Sequence, residues 1–319
     1  MTTHTPGIGT KSERAHTPAN PVPLRVVSIS LGSSARNHRT EASLFGRTII
    51  LERIGTDGDM ARARRLYQEL DGQVDCFGVG GADLAITVAG KPYPIRTVKH
   101  LTEGLRTPAV DGGIIRRVLE GDVARHLETI PAVTQNPRRA FICVGVARYD
   151  LAQGLAEAGY DLLCGDLGFG LGVPVPIRTL ARLEQVARVL LPVMVRLPFA
   201  WLYPTGADQG RNQPKYADWY NWATVIGDDF HYIYRHMPAR LPGKVIVTNT
   251  TTRADIDELR RRGVAYVCTT SPRWEGRTFG TNVIEAALTA AAGVGRPLTS
   301  AEARDLVAQY QLAPSILEL

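Results

Sequence analysis

Cysteine is scarce in this chain of 319 residues, and four thiols cannot carry a disulfide scaffold. Cys76, Cys143, Cys164 and Cys268 each fall in an apolar run, where reduced thiols pack as small hydrophobes, so a cytoplasmic compartment is expected. Lysine is scarcer than its charge implies. The net charge is +6, yet only five of the 37 basic residues are Lys, and the arginines spread along the whole length. There is no zinc-finger spacing, no basic region running into heptads and no aromatic RNA-binding signature, so no nucleic-acid partner is expected. Long apolar runs are missing as well. The nearest, residues 186–203, is broken by Arg188, Pro192, Arg196 and Pro198, so no membrane span is expected. Residues 1–24 carry Thr, Pro and His without an apolar centre, which predicts a disordered tail rather than a secretory signal.

What is present is alternation. Arg25 to Leu31, Thr48 to Ile54, Val74 to Val79 and Asp83 to Val88 read as strands bounded by Gly and Ser. Asp59 to Leu70 and Ile114 to Ile130 carry apolar side chains at helical spacing. Residues 131–139, polar and twice interrupted by proline, predict a linker between domains. Beyond it AFICVGV, YDLLCGD, Val225-Ile226, Lys244 to Thr248 and Val264 to Thr269 predict strands. Helices are expected at Tyr149 to Ala158, Thr179 to Met194, Ala254 to Arg262 and Asn282 to Ala292. This rhythm predicts an α/β fold of two domains. An N-terminal α/β substrate domain spans 25–130, and a C-terminal Rossmann-like parallel sheet spans 140–295. Residues 296–319 form a terminal helix packed on the body. Such sheets bind ligands beyond the carboxyl ends of their strands.

A dinucleotide site would show G-x-G-x-x-G after the strand at 140. The chain has Gly145, then Ala147 in place of the second glycine, Arg148, and Asp150 in place of the third. Asp150 would repel a phosphate at a helix start and serves equally as a helix cap. Asp166 lies 21 residues after Gly145, where an acidic side chain accepts from the adenosine ribose of NAD and disfavours NADP. Asn249, Thr250 and Thr251 follow another strand and would project toward a cofactor, whereas Thr252-x-x-Asp255 is a capping box. Arg273 and Arg277 precede a helix in a Gly-containing loop, an arrangement suited to anions. Asp228, Asp229 and His231 admit a metal or acid/base reading, although no zinc spacing accompanies them and no metal is expected.

In the first domain Ser28 and Ser30 share one face of a strand end, followed by Ser33, Arg36 and His38 in a loop. Hydroxyls and cations so grouped suit a hydroxy acid, and turn chemistry explains part of the pattern. Lys99 and Asp111 form a candidate acid/base pair, with surface positions as the plainer reading. The segment 168–203 encloses an apolar-faced helix that predicts a sheet cover or a homodimer contact. Pro204-Thr205-Gly206 with Tyr216, Trp219, Tyr220 and Trp222 is the expected lid.

The stretches SLGSSARNHR, ERIGTDGD, GVGGADL, GDLGFGLGVPVPIRTL, YPTG, GDDFHYI, TNTTTRADIDELRRRGV and GRTFGTNVIEA together resemble bacterial proteins named quinate 5-dehydrogenase, across most of residues 25–293. The resemblance implies the shikimate/quinate dehydrogenase architecture. There the first domain binds a hydroxy acid, the Rossmann domain binds a nicotinamide cofactor, and a Lys–Asp pair in the cleft handles the proton. Asp111, in AVDGG, is similar to the Asp of the N-T-D-G context, though the Asn-Thr is missing. Lys99 and Lys91 stand nearer to it than that family's lysine, and TNTTT is similar to the Asn-Ala-Thr strand end beside the nicotinamide. The expected activity is therefore an NAD-linked oxidoreductase with NADP as the lesser cofactor. Lys99 or another base takes the proton, Asp111 orients the substrate, and Gly145, Ala147, Arg148, Asp166, Asn249, Thr250 and Thr251 hold the cofactor. A non-redox α/β ligand-binding or regulatory protein is the alternative, because the glycine fingerprint is degraded; a metal-dependent enzyme using Asp228, Asp229 and His231 is the third.

Overall fold

The computed structural model describes residues 22–198 and 211–319, apart from 272, 275, 276 and 279. The tail expected over residues 1–24 falls largely outside them, as does the Pro204-Thr205-Gly206 part of the expected lid.

Apolar β-branched runs make the strands. The first sheet holds β1 (Leu24–Ser30), β2 (His38–Leu44), β3 (Arg47–Gly55), β4 (Cys76–Gly80) and β7 (Ala109–Val110), in the order β2-β3-β1-β4-β7. All pairings are parallel except that of β2 with β3. A side hairpin comprises β5 (Ala85–Val88) and β6 (Lys91–Pro94). Helices α1 (Met60–Leu70) and α2 (Arg96–Thr102) pack together beside it, α1 being capped by Asp59. Residues 38–44 are a strand, where a loop was expected around His38. Their exposed, polar alternation is that of an edge strand, which offers one face to water.

The helix expected over Ile114 to Ile130 is two, α3 (Gly113–Gly121) and α4 (Val123–Leu127). At the break the Gly121 backbone lies so close to α6 (Tyr149–Glu157) that a Cβ on Gly154 would stand 2.3 Å from the Gly121 carbonyl oxygen. The linker expected at 131–139 contains α5 (Pro131–Thr134), whose Val133 is buried, and Arg139 already belongs to a strand.

The second sheet contains β8 (Arg139–Ile142), β9 (Asp161–Cys164), β10 (Val225–Gly227), β11 (Val245–Thr248) and β12 (Tyr266–Thr269), all parallel. Helices α7 (Asp166–Leu171), α8 (Leu180–Met194), α9 (Ala217–Trp222), α10 (Phe230–His236) and α11 (Arg253–Arg261) connect them. After the two-residue strands β13 (Arg273–Trp274) and β14 (Arg277–Thr278) come α12 (Thr281–Ala292), α13 (Ser300–Gln309) and β15 (Ser315–Glu318). The order is β15-β12-β11-β10-β8-β9, with β15 antiparallel to β12.

The fold is thus α/β with two parallel-centred sheets and a Rossmann-like second unit, but the chain crosses between the units more than was expected. Helix α12, placed by periodicity with the second sheet, instead covers β1 and β4 of the first and buries Ala286, Ala287 and Leu288 there. Each sheet reverses its strand order beside one central strand, β1 in the first and β8 in the second. The carboxyl ends of these strands are where ligands bind in such folds. Leu171, Val173, Val175, Val189 and Val193 stay exposed, all within the segment read as a homodimer contact. No helix among the described residues is long and apolar enough to cross a membrane.

Candidate functional site

Helix α3 joins the two strand-end edges. It starts from Asp111, just past β7, and its Glu120 reaches the start of α6, just past β8. Along it runs a line of alternating charge. Asp83 pairs with Arg116 at 2.9 Å, and Glu120, one turn after Arg116, pairs with Arg148 at 2.9 Å. Arg148 in turn lies 3.5 Å from Asp228 and 3.9 Å from Asp229. Burial opposes the charge on Arg148, yet the carboxylates of Glu120, Asp228 and Asp229 outweigh that cost and raise its pKa. Glu120 and Arg148 are both buried, so either one alone would be an uncompensated charge.

At the first sheet's edge the side chains are already engaged. Ser28 Oγ accepts from Asn282 Nδ2 at 2.7 Å. Ser30 Oγ accepts from Arg53 Nη2 at 3.0 Å, and Arg53 Nη1 donates to the Ser33 carbonyl. Ser33 Oγ caps the short 3-10 turn that contains Arg36. Arg36 and His38 are exposed on the rim, with His38 Nδ1 near the Arg36 carbonyl. Asp111 accepts from the Leu84 amide at 2.6 Å and the Gly113 amide at 2.8 Å. Desolvation and neighbouring Asp83 raise its pKa, with Arg116 opposing. Gly112 holds φ +86° here, and a Cβ on it would meet the Asn282 amide nitrogen at 2.3 Å, so α12 starts against this turn. Glu285 of α12, buried, accepts from the Ile114 and Ile115 amides at the head of α3.

Structure thereby gathers Ser28, Ser30, Ser33 and Asp111 along one edge, together with Arg53 and Asn282, which sequence reasoning passed over. It does not gather Lys99. That residue is exposed on α2, and no bond or ion pair among the described residues joins it to Asp111. Arg53 was legible only as one arginine in a strand, and Asn282 only as the start of an expected helix, because neither carries a motif.

At the second edge two neighbouring regions differ. The turn after β8 is saturated. The Val144 amide donates to Asp228 at 2.7 Å, and the Gly145 and Val146 amides donate to Asp166 at 3.0 and 2.9 Å. The Ala147 and Arg148 amides bond back to the Val144 carbonyl. Desolvation pushes the Asp166 pKa up to about 6 and that of Asp228 to about 7, against the pull of the amides. A dinucleotide pyrophosphate needs these amides free and a neutral or positive surround. Gly145 is needed for another reason, since a Cβ there would stand 2.8 Å from Cys164 Sγ. The residues present therefore do not fit a dinucleotide on this turn, and Asp166 faces inward to the turn instead of outward to a ribose.

The tips of β11 and β12 are the opposite case. Thr248, Thr270 and Ser271 are fully buried, and their hydroxyls have no hydrogen-bond partner among the described residues. Asn249 donates through Nδ2 to Asp229 at 3.4 Å, while its Oδ1 is likewise unpartnered. Backbone bonds from Thr270 to Thr248 and from Ser271 to Asn249 hold the four residues side by side. Thr250 and Thr251 follow, half-buried, and Thr252 caps α11 with Asp255 in the expected box. Buried polar atoms left unpaired cost about 1–3 kcal/mol each.

The residues after Asp228 are helical: Asp229 caps α10, because its carboxylate accepts from the His231 amide. The His231 side chain is exposed, and among the described residues no group of three His, Cys, Asp or Glu side chains is disposed to hold a metal. Tyr216, Trp219 and Tyr220 pack instead around Phe141 and Phe169, as part of the second sheet's core face. The side chains of Arg273 and Arg277 lie outside the described residues.

A family model described as domain of unknown function DUF8754 matches residues 114–319. The chain belongs to the DUF8754 family. A second model, domain of unknown function DUF8753, matches residues 25–111, so the seam between the two falls at Gly112-Gly113, where α3 begins. No curated protein matches the chain. Among solved structures it is similar to an NAD-dependent malic enzyme from Thermotoga maritima, with TM-score 0.36, 14% identity, and coverage of 85% of this chain and 71% of that one. It is similar at TM-score 0.37 and 12% identity to a malic enzyme from Entamoeba histolytica, covering 91% and 70%. An ABC-transporter solute-binding protein from Burkholderia multivorans gives TM-score 0.36 and 12% identity, covering 92% and 99%. Likenesses this slight say nothing about what the DUF8754 chain binds.

Proposed function

We propose that this chain binds a small hydroxyl-bearing molecule at the carboxyl edge of its second sheet, without a dinucleotide on the β8 turn. One observation carries the reading. Every amide from Val144 to Arg148 already has an acceptor inside the chain, three of them in carboxylates, whereas the adjacent tips of β11 and β12 hold buried hydroxyls with none among the described residues. Thr248, Thr270 and Ser271 would donate to and accept from ligand hydroxyls, and Asn249 Oδ1 would accept from one. Arg53, which donates to Ser30 and Ser33 on the first sheet, would be the cation for an acidic substituent.

The competing reading is an NAD-linked dehydrogenase of the quinate type. It is favoured by Asp111, which stands at the strand-end edge of the first sheet with Ser28 and Ser30, as a substrate-orienting carboxylate would. Titration with NADH and NADPH, followed by nicotinamide and tryptophan fluorescence, separates the two, with calorimetry of polyhydroxy acids alongside. The proposal expects saturable heats from a hydroxy acid and no saturable binding of either dinucleotide. Saturable NADH binding, with hydride transfer from a hydroxy acid to NAD+ or from NADH to the matching keto acid, would replace it with the dehydrogenase.

A further inference from the structure

We infer that Asp166 and Asp228 are specificity-determining residues that occupy the β8–α6 turn in the manner of a bound phosphate and so make the chain reject phosphate-bearing ligands. The inference rests on the reading of this turn given above and goes one step further, from a ligand the turn does not hold to the residues that exclude it. The backbone is shaped as an anion receptor: three consecutive amides, Val144, Gly145 and Val146, converge on oxyanions at 2.7, 3.0 and 2.9 Å. They precede α6, whose first turn adds the positive end of a helix dipole. What they converge on comes from the chain itself, from the first residues after β9 and β10.

A second feature belongs to the same receptor. Arg148, about 5% exposed, places Nε 3.5 Å from Asp228 Oδ1, and that Nε has no hydrogen-bond partner among the described residues. A buried guanidinium with a spare donor, beside three convergent amides, is the donor set that phosphate oxygens take. With both carboxyl groups in place an arriving phosphate finds no free amide, and above about pH 7 it also meets two negative charges. With Asp166 removed, the Gly145 and Val146 amides become available, and with Asp228 removed, the Val144 amide and Arg148 Nε do.

The test uses the whole chain and inorganic pyrophosphate as probe, by calorimetry and by thermal shift. Asp166→Ala leaves the Gly145 and Val146 amides without acceptors and is expected to bind pyrophosphate at least about tenfold more tightly than the unaltered chain. That binding should weaken as salt is raised, and pyrophosphate should lift the melting temperature of the variant more than that of the parent. Asp166→Asn removes the charge while keeping an acceptor oxygen, so it preserves the fold should the alanine variant fail to form, and a gain of severalfold is expected of it. Equal pyrophosphate affinity in a folded Asp166 variant and the parent would overturn the inference. Tight pyrophosphate binding by the parent would overturn it too. Should the parent bind NADH through this turn, the proposed function falls with it. A parent silent toward NADH, with variants that gain nothing, defeats the inference alone.

Discussion

The β8 turn and the tips of β11 and β12 lie in one sheet, at the same edge, yet they solve their polar accounting in opposite ways. At the turn every amide is matched, three of them by carboxyl groups drawn from two neighbouring strand ends and two by the Val144 carbonyl. At the tips three hydroxyls and an amide oxygen are buried with no partner among the described residues. A buried polar atom without a partner is destabilising unless something supplies one, so the tips are where a ligand contributes most. The turn is finished as architecture. Proximity to the strand-order reversal, by itself, does not mark a binding surface; the unsatisfied groups do.

Breaking the satisfied side should have the largest effect. Arg148→Ala leaves Glu120 and Asp228 buried without their cation and removes the ion pair that links α3 to the start of α6. Chemical denaturation should show a loss of about 3–5 kcal/mol, and a loss below about 1 kcal/mol would mean that solvent already screens the network.

Titration of the same turn gives an intermediate effect. Asp228 and Asp166 hold protons in the fold up to about 7 and about 6, whereas unfolded aspartates release them near 3.8. Between those values the folded chain binds more protons than the unfolded one, so stability is greatest below this window and falls as pH rises through it. For buried Asp228 each unit is worth about 1.4 kcal/mol. At the acid end Asp71, held down to about 2 chiefly by the Thr107 amide, loses its contribution as pH falls below about 4. The melting temperature should therefore be higher at pH 5 than at pH 8. A flat profile between them would show that both carboxylates ionise freely.

The smallest effect is the one that sharpens the contrast. Thr270→Val swaps an unpartnered buried hydroxyl for a methyl, so the free chain should gain up to about 1 kcal/mol while hydroxy-acid affinity drops about tenfold or more. Thr269→Val, one residue earlier, removes a hydroxyl bonded to Ser315 Oγ at 2.6 Å and should lower stability instead. Equal destabilisation by both would erase the distinction between partnered and unpartnered hydroxyls on which the reading of the tips rests.

Much of this was legible in one dimension. Strand and helix positions follow from β-branched runs and from 3.6-residue periodicity, which depend on side chains a few positions apart. Caps such as Thr252 with Asp255 are equally local, as is the cap of Asp59 on α1. The loss of the glycine fingerprint was visible in Gly145, Ala147 and Asp150. Asp166 was visible too, at a spacing that fits a ribose, but spacing says nothing about which way a carboxylate turns. Its inward turn depends on Gly145 and Val146, 21 and 20 residues away, presenting amides where it ends. Composition and pattern by themselves determined an α/β chain with a Rossmann-like parallel sheet in its second part. Only the tertiary structure decided that α12 returns to cover the first sheet, that Glu120 meets Arg148, that Lys99 stays apart from Asp111, and that the buried hydroxyls gather at β11 and β12. Burial and pairing are properties of residues distant in sequence, and they exist only once the two sheets are packed across α3.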